Sequence, residues 1–363
     1  MVAATVREMI TILIPTYNRP GYLKRILGYY SDCRITHTII VADGSWDEIK
    51  KTNKETIASF PILKVLHLDR YSPETAFNIR LSDALNHVDT KYCVICADDD
   101  FMTPNGISQP VDFLEKNADF AIAHGRYISF WLERRKNGQY FRWQPTYSAL
   151  SIAFEHPEQR LTCHLSNYSP TFYAIHRTEL LQMIWAENVR FMNDARFSEL
   201  LPSMLAVVYG KMKCLDVFYA ARDTASTRVG YYPTLKDAIE AGTYDEMYVK
   251  FRDCLSTHLG RQSQLDTEES GRVVDEAMAA YMKKCYYASK SKMGYISARM
   301  GRILDHLNLP DSLGRGIRRS YTQLVRSRYT EKNSMDISPS SEYYDDFNRI
   351  RQHVLASPGI IDE

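Results

Sequence analysis

Over residues 1–125 the chain alternates short, apolar, β-branched runs with longer amphipathic segments, and few architectures accept that alternation. ITILIP, THTIIVAD, ILKVLHL, KYCVICAD and DFAIAH read as five strands. Between them PGYLKRILGYY, WDEIKKTNKETIASF, PETAFNIRLSDALNHV and PNGISQPVDFLEKN read as helices. Ser72-Pro73 and Thr103-Pro104 open two of these helices, each placing a capping hydroxyl before a proline whose missing N–H is harmless in the first turn. The pattern predicts an α/β fold of Rossmann-like character, a mostly parallel sheet flanked by helices.

From about residue 126 to 175 the sequence turns aromatic, Arg-rich and irregular. RYISFWLERR and GQYFRW read as a hairpin and SPTFYAIHR as a further strand. NDARFSELLPSMLAVVYG is an amphipathic helix closed by Gly210, and KMKCLDVFYAAR returns as a strand. Beyond residue 233 the strand signal fades, and two long helical stretches, a polar loop and a last short helix complete an all-helical region, 234–363.

Composition excludes several roles. With 45 basic and 44 acidic side chains there is no global field to recruit nucleic acid, so none is expected as a partner, and an anionic ligand must be met by local groups. The seven cysteines are scattered, and the one close pair, Cys93 and Cys96, sits in an apolar run where buried thiols are expected. No stretch nears the roughly 20 apolar residues of a spanning helix, and the N-terminus lacks the features of a secretory signal. We therefore expect a cytoplasmic protein, soluble or peripheral at the membrane.

The chemistry concentrates at predicted strand ends. Asp98-Asp99-Asp100 follows YCVICA, and three adjacent carboxylates repel one another unless a cation offsets them. In open α/β sheets the crevice beyond the carboxyl ends of the strands is also where ligands bind. Strand alternation would set Asp98 and Asp100 on one side, while a count from Tyr92 also allows Asp98 with Asp99, so all three are kept as metal ligands. Pro15-Thr16-Tyr17-Asn18-Arg19-Pro20 ends the first strand and Asp43-Gly44-Ser45 the second.

PTYNRP, VADGS and ADDDF, in that order and spacing, resemble the family 2 glycosyltransferases of the GT-A fold over roughly residues 9 to 225. The resemblance implies a donor half to about 125 and an acceptor half from about 126 to 233. It implies a nucleotide-diphosphate sugar as donor, a glycan or glycolipid as acceptor, and Mg²⁺ or Mn²⁺ held against the diphosphate by Asp98, Asp99 and Asp100. Pro15, Thr16, Tyr17, Asn18 and Arg19 would bind the donor, Tyr17 beside the base, and Asp43 would accept from the base edge. Arg80, and more weakly Arg70, would face the phosphates.

An inverting transferase also needs a carboxylate to take the acceptor's proton. Glu199 is the candidate and Asp194 the runner-up, with a helix-cap role for Asp194 the alternative. On the following strand Asp223 could be a further ligand and Arg222 could meet phosphate. His164 and His176 read as satisfied core or surface residues rather than ligands. The arginines between 299 and 328 suggest either a solvated face or a peripheral membrane contact. The alternatives to a transferase are a nucleotidyltransferase, disfavoured because PTYNRPGYL is no Gly-rich phosphate loop, and a non-catalytic sugar- or nucleotide-binding module.

Overall fold

The computed structural model describes residues 9–135, 137–146, 150–191, 195–224, 235–288 and 335–357. Its centre is a nine-stranded sheet with the order β3-β2-β1-β4-β8-β6-β9-β5 and β7 on β6. The strands are β1 (Ile10–Thr16), β2 (Thr38–Asp43), β3 (Lys64–Leu68), β4 (Tyr92–Ile95), β5 (Phe101–Met102), β6 (Phe120–Arg135), β7 (Gly138–Thr146), β8 (Ile175–Arg177) and β9 (Lys211–Asp223). The fold is α/β, parallel through β3-β2-β1-β4 and mixed beyond, where β8 runs antiparallel to both β4 and β6.

The parallel half is built by α1 (Pro20–Asp32), α2 (Asp47–Ala58) and α3 (Phe77–Leu85) as crossovers, and α4 (Pro104–Lys116) links β5 to β6. β1 is buried at every position, as a parallel strand covered on both faces must be. Its alternation sorts side chains between two cores. Ile10, Ile12 and Ile14 join Leu23, Ile26 and Leu27 of α1, whereas Leu13 joins Leu81 and Leu85 of α3 on the other face.

The strand DFAIAH and the first arm of the expected hairpin form one continuous strand, β6, irregular near Gly125, with β7 as the returning arm. Two helices escaped the sequence reading: α5 (Pro157–Ser166), inside the stretch taken as irregular, and α6 (Thr178–Phe191). Thr103 caps α4 as expected, its hydroxyl accepting from Gly106 N at 2.9 Å. Ser72 does not open α3. Its hydroxyl pairs with Thr75 Oγ1, Thr75 N bonds back to Ser72 O, and the helix starts only at Phe77.

α7 (Ala195–Tyr209) precedes β9, followed by α8 (Leu235–Glu240), α9 (Tyr244–Gln262) and α10 (Thr267–Ala288). The stretch read as one helix from Asp237 to Leu259 is broken at Gly242, whose φ of +70° is left-handed. Phe251, Leu255 and Val274 of α9 and α10 share one core with Phe197 and Leu201 of α7. The last helix, α11 (Tyr344–Ala356), lies against α1 and β7 and buries Phe347, Ile350 and Val354 in the other core. These helices thus pack back on the sheet domain. The Arg-rich 299–328 segment lies outside the described residues, and among those described no helix is long and apolar enough to cross a membrane.

Candidate active site

The carboxyl ends of β1, β2, β4 and β9 converge on the acidic run. Asp98 and Asp100 are 2% exposed and Asp99 7%. Asp98 Oδ2 accepts from Thr16 Oγ1 at 2.7 Å and its Oδ1 from Arg19 at 2.9 Å, while the other arm of Arg19 reaches Asp99 Oδ2 at 2.8 Å. Asp100 Oδ1 accepts from the Asp223 backbone N–H at 2.8 Å and its Oδ2 lies 3.3 Å from Arg222 Nε. Burial raises the pKa of Asp98 and Asp100, and the charge of Asp99 between them adds to that, against Arg19 on one side and Arg222 on the other. Burial alone would weaken the Arg19 charge, but Asp98 and Asp99 overcome it and hold the guanidinium firmly protonated.

A second buried arginine backs the run. Arg25, one turn into α1, donates to Asp99 O at 2.8 Å and to Asp223 Oδ2 at 3.2 Å, and it lies over the rings of Tyr22 and Phe101. Its position follows from sequence: Pro20 starts α1, and residues 22 and 25 then fall on one face. The donor set of the run is all oxygen, and Asp99 keeps the most open carboxylate of the three. Those features fit a hard divalent cation such as Mg²⁺ or Mn²⁺.

The two strand-end loops are tied together. Asn18, with φ 53°, donates its N–H to Ser45 Oγ and accepts from Trp46 N, as its short polar side chain allows in the left-handed region. Asp43, fully buried, accepts from Ser45 N, from Asn53 Nδ2 at 2.8 Å and from His67 Nε2 at 2.9 Å. Burial would raise its pKa, but the bonds from His67, Ser45 and Asn53 outweigh burial and lower it. Arg80 lies under this junction, 5% exposed, over the ring of Tyr17, with Nε and Nη1 lacking hydrogen-bond partners. A Cβ on Gly44 would fall 1.3 Å from Arg80 Nη1, so only glycine leaves the guanidinium its place.

Beside this cluster lies a cavity of about 690 Å³ lined by Glu199 and, on the side of the acidic run, by Arg222. Arg222 and Tyr173 lie on its wall nearest Asp100, and Ser198, Glu199 and Ser203 on the α7 side. Glu199 is exposed and its Oε1 accepts from Tyr168 at 3.2 Å. α7 carries Pro202, which cannot donate to Ser198 O four residues back. Asn188 Nδ2 takes that carbonyl instead, at 3.0 Å, pinning α6 to the turn that holds Glu199.

Residues 11–181 match the profile of glycosyl transferase family 2. That span, just under half of the chain, is similar to this family. The enzyme is a glycosyltransferase. No curated protein matches the chain. Among solved structures it is similar to S. aureus TarS 1–349 in complex with UDP-GlcNAc, at 14% identity and TM-score 0.48, over 78% of this chain and 76% of that one. It is also similar to the mannosyltransferase PcManGT from Pyrobaculum calidifontis in complex with GDP-Man and Mn²⁺, at 12% identity and TM-score 0.44, over 96% and 86%.

In the transferase, Pro15, Thr16, Tyr17, Asn18, Arg19, Arg80 and Asp98 gather at one edge of the sheet with Asp99 and Asp100. Asp194 lies outside the described residues. Arg70 is turned away, in an exposed ion pair with Asp83. His164 and His176 are buried, and burial lowers their pKa to about 3 and about 4, which keeps both rings neutral. Asp223 is paired with Arg25, and Arg222 with Asp100. Sequence reasoning missed Arg25, Asn53, His67, Tyr168 and Tyr173. Each acts through a partner distant in the chain, and no local pattern signals it.

Proposed function

We propose that the enzyme moves a sugar from a nucleotide-diphosphate donor to a hydroxyl of a glycan or glycolipid acceptor, with inversion and with Mg²⁺ or Mn²⁺ bound at Asp98–Asp100. The observation that carries this reading is the arginine-braced acidic run at the strand ends, with Arg222 bonded to Asp100 and also lining the cavity that holds Glu199. Thr16 and the exposed ring of Tyr17 receive the nucleoside, above the Asn18–Ser45 tie. Asp43 orders that floor. Arg80, buried with open donors beside Tyr17, faces the diphosphate, and Arg19 stands at the same mouth. When bound, the cation supplies Lewis-acid neutralisation of the diphosphate. Asp99, with the most open carboxylate, leads its ligand set.

Glu199 takes the proton of the acceptor hydroxyl. The hydroxyl oxygen forms a bond to the anomeric carbon from the side opposite the diphosphate, whose bond to that carbon breaks as nucleoside diphosphate departs. A general base of this kind is worth roughly 10²- to 10⁴-fold in rate. Glu199→Gln is therefore expected to lower kcat for release of nucleoside diphosphate by about that factor while leaving donor affinity unchanged. Unchanged turnover would remove Glu199 as the base, and the absence of turnover in the wild type would favour a non-catalytic binding module.

A further inference from the structure

The cavity beside Glu199 is walled chiefly by carbon. Phe77, Phe172 and Trp185 form a triangle of rings with centroids 6.2 to 6.3 Å apart, closed by Leu181, Pro170 and Pro202. Phe77 is 45% exposed at this wall, and Val189, one turn beyond Trp185 on α6, is likewise left exposed. The hydroxyls of Thr171, Tyr173 and Ser203 that line the cavity are engaged within the protein. Thr171 Oγ1 donates to Ser203 Oγ at 3.1 Å, Ser203 Oγ accepts from Thr171 N, and it lies 3.4 Å from Glu199 O. Arg222 is turned to Asp100, and its guanidinium lies over Tyr173. A chain of sugars would bring hydroxyls along its whole length and lose their water against this surface, leaving them without partners. An apolar body meets no such penalty, and flat rings suit it.

Resting on the transferase reading above, we propose that the acceptor is an amphiphile: its reacting hydroxyl stands at Glu199, and an apolar aglycone lies on the Phe77–Phe172–Trp185 wall. Alkyl chains and aromatic rings share this chemistry. His176, whose Nε2 is bonded to Thr171 O, presents a buried Nδ1 without a hydrogen-bond partner, an acceptor for one further hydroxyl.

The test is calorimetric titration of the full chain with methyl, phenyl and octyl β-D-glucoside below the micelle threshold, each with and without nucleoside diphosphate and Mn²⁺. Octyl or phenyl glucoside should bind at least roughly tenfold tighter than methyl glucoside, as burial of an apolar group requires. The stronger of the two assigns an alkyl or an aromatic aglycone. Phe77→Ser, at a half-exposed position, should erase most of that preference, with far-ultraviolet circular dichroism the check that the variant is folded. Equal affinities, no binding of any of the three, or a preference untouched by Phe77→Ser would overturn the proposal. Nucleotide binding with no glucoside preference would overturn it alone. A preference without nucleotide binding would instead fault the transferase reading and make the cavity an amphiphile site without an acceptor role.

Discussion

His176 shows how a buried side chain carries a pH signature. Its ring is neutral because burial lowers the pKa to about 4, against the partial offset of its bond to Thr171 O. In the unfolded chain the same ring titrates near an ordinary value of about 6.5. As pH falls between those values the unfolded state binds a proton that the folded state refuses, so stability drops with acid across that window. From pH 7 to 5 this one group withdraws roughly 2 kcal/mol. His176→Gln is expected to lose that much less than the wild type in urea unfolding at the two pH values, and parallel losses would contradict the assignment. The acidic run was legible because three carboxylates at a strand end stand out in any sequence. Their counter-charges were half legible: Arg19 sits inside PTYNRP, whereas Arg25 reaches Asp99 and Asp223 only once the chain has folded.

Among the elements, α7 has the most exacting construction. Pro202 frees the Ser198 carbonyl, and Asn188 of α6 is fully buried to receive it. Asn188→Ala leaves that carbonyl buried and unpaired, and the expected loss is about 1–3 kcal/mol of unfolding free energy. A change within experimental error would mean that water replaces the amide. Helix ends differ in how far sequence discloses them. Thr103 and Ser72 look alike on paper, each before a proline. Thr103 is held against Phe218 O and caps α4, while Ser72 has Thr75 within reach and closes a turn instead. The helices α5 and α6 went unread because their neighbourhood is dominated by aromatic and Arg-rich strand sequence. Continuous β6 was read as two strands because its irregularity near Gly125 looks like a break.

For the whole molecule, the parallel half was readable because strands buried on both faces leave near-continuous apolar runs in sequence. The mixed half was not, since antiparallel β8 is three residues long and gains its place from β4 and β6 rather than from its own composition. Helical periodicity could not say where the C-terminal helices dock. α11 returns to α1, with His353 2.8 Å from Asp32 and Ile350 fully buried. Ile350→Ala should cost about 2–5 kcal/mol and lower the stability of the sheet domain with it; a separate transition for the helix would contradict that coupling.

The measurement that bears most directly on the account is the thermal shift produced by UDP, GDP, CMP and dTDP, each with and without Mn²⁺, on the wild type and Asp99→Asn. Ligand well above its Kd should raise Tm by about 5 °C or more through mass action. The prediction is a shift with one nucleoside diphosphate that requires Mn²⁺ and disappears in Asp99→Asn. A shift independent of metal, or one that survives in the variant, would contradict the assignment of the acidic run as the diphosphate site.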